Sequence, residues 1–256
     1  MSVMMTGGSS NSIFKSYSHL SSGKRINSAA DDAAGLAIAQ KMQREETGLS
    51  VGAENAKAGI GVLNVADGAL DGVTDYLQRI RDLALRSMNG LNSAGDKKIY
   101  QREIDQLKEG IQSLAKDTSL NEQKLLDGSM ADMDLATNPN GGGMKIQMTN
   151  ATLEALGIAD LDVTSKDFSL DSIDKALDMV SAQRSDIGAY TNRLEHTFNY
   201  NNRASLEQLG SRSRLEDLDF PKAISEKQKK EVLNEYRMLM IKRQMQQKNM
   251  VTGMFF

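Results

Sequence analysis

Residues 55–90 read NAKAGIGVLNVADGALDGVTDYLQRIRDLALRSMNG, and within them Ile60, Leu63, Leu70, Val73, Leu77, Ile80 and Ala84 recur at intervals of three, four and seven. That spacing lines one stripe of an α-helix, because positions three and four apart share a face. No proline interrupts residues 28–88, so the stripe predicts one helix of about sixty residues, roughly 90 Å long. Such a helix buries its apolar face only along partner helices. The turn residues NGLNSAG at 89–95 stop it, and Asp96 is placed to cap a second helix. That helix runs to about Ala115 on the stripe Ile99, Ile104, Leu107, Ile111 and Leu114, antiparallel to the first.

Further along, the period changes. Residues 127–165 are short and irregular, and Met144, Ile146 and Met148 alternate with Lys145, Gln147 and Thr149 behind the turn residues NPNGGG at 138–143. Alternation behind turn chemistry predicts a small β-hairpin. After Asp171 helical spacing returns with Ile173, Leu177, Val180, Ile187, Leu194 and Phe198, a third long helix diluted at NYNN, residues 199–202. Pro221 then stands near the start of a last helix bearing Leu233, Tyr236, Met240 and Ile241, where proline is tolerated. The fold class is mainly α: an elongated helical hairpin or bundle of three long helices with a small β-hairpin insert. Two prolines, no tryptophan and 5% aromatics agree with it.

Cysteine is absent, which excludes disulfides and thiolate chemistry. No run of 18 apolar residues exists, and the start MSVMMTGGSSNSIF has neither a basic head nor an apolar run, so neither a membrane span nor a cleaved signal peptide is expected. A net charge of -3 argues against nucleic-acid binding, which requires phosphate neutralisation. The charge is uneven: residues 222–256 carry eight Lys or Arg against three Glu and residues 1–25 carry three uncompensated cations, which leaves 26–221 at -11.

Residues 20–42, LSSGKRINSAADDAAGLAIAQKM, resemble the signature LSSG-x-RIN-SA-x-DDAAG-x-AI of the bacterial flagellin family. The similarity continues through residues 55–90, KLLDG at 124–128, MKIQMTNATLEALGI at 144–158 and SAQRSDIGAYTNRLEHT at 181–197. The resemblance implies a non-enzymatic structural subunit of the flagellar filament, extracellular and exported without a cleaved signal. Its terminal helices, residues 1–22 and 222–256, would form an inner coiled coil, the filament core. Residues 23–128 and 165–221 would form a helical rod domain, with 129–164 as its hairpin and loop part, and the variable outer domains of larger flagellins absent.

The partners implied are further copies in a helical homopolymer, the export chaperone and type III export apparatus, the filament cap and hook-associated proteins, and the host flagellin-sensing Toll-like receptor. The alternative is a hook-filament junction protein. Flagellins usually carry more residues before LSSG and a closing helix rich in Gln, Ala and Leu, whereas here two glycines, Gly7 and Gly8, interrupt a short start and the end is basic and Met-rich. Unpartnered, both ends are expected to be disordered in the monomer.

Two residue sets are singled out. Ser21, Ser22, Gly23, Arg25, Ile26, Asn27, Asp31, Asp32, Ala33, Ala34 and Gly35 form a packing motif: the two aspartates are placed to cap a helix, and the small residues let backbones approach closely. Gln78, Arg79, Arg81, Asp82 and Leu83, with Glu103, match family positions at or near the longitudinal subunit contact and the receptor patch. Catalysis, cofactors and metals are not expected. The two histidines, His19 and His196, have no placed carboxylate between them, Gly59 and Gly61 lie inside a helical pattern, and Glu216, Asp217 and Asp219 read as a solvated or capping cluster.

Overall fold

The computed structural model describes residues 3–165 and 168–254. The chain is mainly α, with helices α1 (Val3–Ser22), α2 (Ala33–Ser87), α3 (Ala94–Asp117), α4 (Asp171–Glu216) and α5 (Phe220–Met254). Between α3 and α4 stand strands β1 (Ser119–Leu120), β2 (Gln123–Lys124), β3 (Asp132–Ala136) and β4 (Gly143–Gln147), paired as two antiparallel hairpins. Residues 1, 2, 255 and 256 of the expected filament core, and 166 and 167 of the expected rod, lie outside the described residues. Two compact units are present, Thr47–Ser205, and Met1–Glu46 with Leu206–Phe256.

In the first of these, the predicted stripe of α2 is the core. Leu63, Leu70, Val73, Leu77, Ile80 and Ala84 are fully buried, and Ile60 is half-buried beside them. Each large side chain so buried contributes about 1.5–3 kcal/mol relative to exposure. Both α3 and α4 run antiparallel to α2. Gly72 lies against Leu114 and Tyr76 against Gly110 on one side; Gly59 lies near Leu194, and Arg81 bonds Asp174, on the other. Ile104 and Ile111 of α3, and Ile173, Val180, Ile187 and Leu194 of α4, complete the core as expected. Ile99 does not: it is 62% exposed. The five-residue step from Ile99 to Ile104 turns a helix by about 140°, so the two cannot share a face.

The second helix starts at Ser93, whose hydroxyl accepts from Asp96 N while the Asp96 carboxylate accepts from Ser93 N. Asp96 is therefore the third residue of a capping box and not the cap itself. Strand β4 packs Met144 and Ile146 inward, as the alternation predicts, and pairs with β3 in the register Met133 to Ile146 and Leu135 to Met144. The β1–β2 hairpin was not foreseen; its turn residues Asn121 and Glu122 hold φ of 50° and 67°, the left-handed pair of a tight hairpin.

The hairpin tip docks on α2 and α4. Asn201 Nδ2 donates to the Thr137 carbonyl at 2.7 Å and Asn55 Nδ2 to that of Ala136 at 2.8 Å. Gly52 makes the approach possible, since a Cβ there would stand 2.8 Å from Thr137 C and 2.9 Å from Asn201 Nδ2. The NYNN stretch thus stays helical and supplies a buried anchor. The irregular segment after β4 closes the core with Leu156, Ile158, Leu161 and Val163. Side chains of α3 serve its backbone: Gln101 bonds Leu161 O and Val163 N, Lys108 bonds Ala159 O, and Gln112 bonds Leu153 N.

In the other unit, α1 and α5 pair along the ends nearest the corner. They run antiparallel: Gly23 meets Phe220, Tyr17 Oη donates to Glu231 Oε1 at 3.1 Å, Lys230 Nζ donates to Ser16 Oγ at 3.2 Å, and Lys227 Nζ stands 4.3 Å from the centre of the Tyr17 ring. Gly7 and Gly8 do not break the α1 backbone. Pro221 is the second residue of α5, behind Asp219, whose carboxylate accepts from Lys222 N at 3.1 Å.

Candidate assembly surfaces

The packing motif builds a corner where α1 ends, α2 begins, α4 ends and α5 begins. Gly23, at φ 69°, turns α1 off, its N–H bonded to His19 O at 3.0 Å. Its carbonyl accepts from Leu218 N, and Arg25 N donates to Glu216 O. Arg25 Nη2 donates to Leu215 O at 2.8 Å, and Lys24 Nζ pairs with Glu216 Oε2 at 3.2 Å. Glu216 is therefore buried and paired, not solvated. Ile26 is 1% exposed and plugs the corner from inside.

The two aspartates divide their work. Asp32 alone caps α2, accepting from Gly35 N at 2.8 Å. Asp31 instead folds the preceding turn: its Oδ2 accepts from Asn27 N and Ser28 N, and its Oδ1 pairs with Lys15 Nζ at 2.6 Å. The Lys15 ammonium, opposed by burial and aided by the two amides, holds the Asp31 carboxyl well below the usual carboxylate range. A permanently ionised acceptor of this kind orients backbone and has no proton to exchange near neutral pH. The long helix consequently begins at Ala33 rather than near Ser28.

Around this corner the other motif residues vary in placement. Ser22 Oγ donates to Asn27 Oδ1 at 2.8 Å. Gly35 is buried, and a Cβ on it would stand 2.8 Å from Ile26 Cδ1. Ser21, Ala33 and Ala34 are exposed. His19 Nδ1 donates to the Lys24 carbonyl at 2.9 Å, and its Nε2 stands 3.6 Å from Asp31 Oδ1. Among the described residues, no group of three or more His, Asp or Glu side chains is placed to hold a metal ion.

The second predicted set is mostly on the surface. Gln78, Arg79 and Asp82 are exposed; Arg79 grips Glu103 through Nε at 3.0 Å and Nη2 at 2.5 Å. Arg81 turns to α4, where Asp174 at 2.7 Å raises its pKa. Leu83 is not part of this surface: at 2% exposed it packs in the core, as its place three residues after Ile80 on the α2 stripe requires. Sequence reasoning passed over exposed apolar side chains at the end of α2 and in the turn after it, Leu85, Met88 and Leu91, of which Leu91 is 92% exposed.

Among the described residues, α5 carries more exposed large apolar side chains than any other helix. Val232, Leu233, Tyr236, Met238, Leu239, Met240, Met245 and Met250 are all exposed, interleaved with Lys and Arg. No described helix is long and apolar enough to cross a membrane.

Comparisons with known proteins give this geometry its meaning. A family model of the bacterial flagellin N-terminal helical region matches residues 4–131, and one of the bacterial flagellin C-terminal helical region matches residues 170–254. The flagellin of Halalkalibacterium halodurans is 38% identical over 239 residues, 91% of this chain and 88% of that protein. The crystal structure of Bacillus cereus flagellin is similar at 25% identity and a TM-score of 0.52, over 58% of this chain and 88% of that one. A flagellar hook-associated protein from Vibrio parahaemolyticus superposes with a TM-score of 0.60 over 73% of this chain and 100% of that one; at 18% identity this is a likeness of fold alone. With both ends matched by family models and 38% identity over nearly the whole chain, this protein belongs to the bacterial flagellin family, the structural subunits that polymerise into the flagellar filament outside the cell.

Proposed function

We propose that copies of this chain polymerise chiefly through α5 and α1, with residues 1–22 and 222–256 as the filament core, 23–128 and 165–221 as the rod, and 129–164 as its hairpin part. The observation that carries this is the exposed apolar surface of α5. That helix is 35 residues long and its partner α1 is 20, so one partner of that length cannot cover it. A helix apolar on more than one side is covered by more than one neighbour. Ser21, Ala33 and Ala34, small and exposed at the corner, are surfaces against which a second copy can pack closely.

The same exposure supports an export chaperone that covers α5 before assembly and passage through the type III export apparatus. It also supports contacts with the filament cap and hook-associated proteins at the ends of the polymer. Gln78, Arg79, Arg81, Asp82 and Glu103 are proposed as a longitudinal subunit contact that the host flagellin-sensing Toll-like receptor also recognises. We assign the chain a structural and not a catalytic role, in keeping with the flagellin family to which it belongs. Purified monomer offered filament fragments as seeds is expected to elongate them, seen by electron microscopy. Closed rings, or no growth at high concentration, would overturn the assignment, rings favouring a hook-filament junction role.

A further inference from the structure

We infer that the α5 methionines form an oxidation-sensitive set, whose conversion to sulfoxides by a hydroperoxide reversibly blocks polymerisation; this rests on the reading of α5 as an assembly surface. The chain holds 15 methionines and no cysteine, so thioethers are its reversible sulfur redox groups. Five of them, Met238, Met240, Met245, Met250 and Met254, lie in α5. Placement separates these from the core methionines; outside α5, Met88 is 52% and Met179 38% exposed. Met144 is 8% exposed, and Met133 and Met148 pack against the core, whereas Met238, Met240, Met245 and Met250 are 55%, 48%, 56% and 67% exposed. Oxidation follows access to the sulfur, so these four, together with Met88, react before the core methionines.

At about 100° per residue, Met238 and Met245 share one line along α5. Met240 lies on a second line with Leu233 and Tyr236, and Met250 on a third with Val232 and Leu239. Each apolar line therefore carries a thioether, and a neighbour packed on any of them takes one in. In the reaction the Sδ lone pair attacks a peroxide oxygen, the S–O bond forms, the O–O bond breaks and the departing hydroxide leaves as water after protonation. Sulfur loses two electrons and the peroxide gains them. The product is polar and lacks a hydrogen-bond donor in an apolar contact, which opposes its burial. Reduction by a dithiol through methionine sulfoxide reductase returns the thioether, with oxygen leaving as water and the dithiol becoming a disulfide.

The test uses the full monomeric chain, treated with dilute hydrogen peroxide, mapped by mass spectrometry and then seeded. We expect the four exposed α5 methionines to gain oxygen before Met144, and the critical concentration for elongation to rise roughly tenfold, equivalent to about 1.4 kcal/mol per subunit. Sulfoxide reductase with dithiothreitol should restore elongation, and the same methionines should oxidise more slowly in preformed filaments. A variant combining Met238→Leu, Met240→Leu, Met245→Leu and Met250→Leu conserves volume and should elongate equally before and after peroxide. Unchanged elongation by the oxidised parent, a loss that reduction does not reverse, or equal sensitivity of the leucine variant would each overturn the inference. Should that variant fail before any treatment, the reduction arm decides alone. Failure of the untreated parent to elongate seeds would instead remove the assembly role of α5, and this inference with it.

Discussion

Lys15 Nζ stands 2.6 Å from Asp31 Oδ1, joining the last turns of α1 to the turn that precedes α2. The Asp31 side chain is only 8% exposed and also accepts the amides of Asn27 and Ser28.

Because the fold binds the ionised carboxylate, Asp31 titrates below its unfolded value of about 3.9. Its stabilisation is complete above that unfolded value and is lost as pH falls through the folded one. Amide protection at residues 27–31 should therefore hold from neutral pH down to about pH 5 and decline in stronger acid. Asp31→Asn should lose about 1.5–3 kcal/mol at neutral pH and flatten that acid profile. Hydrogen exchange followed against pH checks both, and an unaltered profile in the variant would refute the role.

Gly52→Ala places a Cβ against the Thr137 carbonyl and the Asn201 amide and should destabilise the unit Thr47–Ser205 by about 1–3 kcal/mol. Gly68→Ala, also within α2 but with nothing within 4 Å of its Cβ, should stabilise by about 0.5–1 kcal/mol. Paired urea denaturation curves measure the opposite signs; equal effects would mean the hairpin contact imposes no constraint.

Arg79 and Glu103 keep 47% and 41% of their side-chain surface, so their ion pair contributes no more than about 1 kcal/mol. Arg79→Ala should leave the melting temperature nearly unchanged, yet weaken receptor binding roughly tenfold or more, as loss of a central arginine in an interface does. Surface plasmon resonance measures the affinity, and undiminished binding by the variant would remove the patch.

Within α5, residues near Tyr17 should exchange more slowly than those beyond Glu231, because the tie to α1 is made by Lys227, Lys230 and Glu231. In filaments the whole helix should become protected. Exchange of the distal half that is as fast in the filament as in the monomer would argue that α5 stays uncovered there.

Much of this was legible along the chain. The α2 stripe, the partner helices α3 and α4 and the inward alternation of β4 follow from periodicity, which survives because each element buries one face. What periodicity misreads is phase and partnership. Ile99 has the right residue type at the wrong angle, Leu83 follows the family motif of the patch yet faces the core, and Glu216, read with its neighbours as a solvated or capping cluster, is buried against Lys24, remote in sequence. Asp31 and Asp32 are adjacent and chemically identical, and only the position of Lys15 separates their roles.

The sequence by itself determined the three long helices and the family, since these depend on residue type and spacing within a few turns. Tertiary structure alone decided which charges are paired, which glycines must stay bare and how α1 and α5 meet. Those depend on distances between segments far apart in the chain, and local propensity carries no information about them.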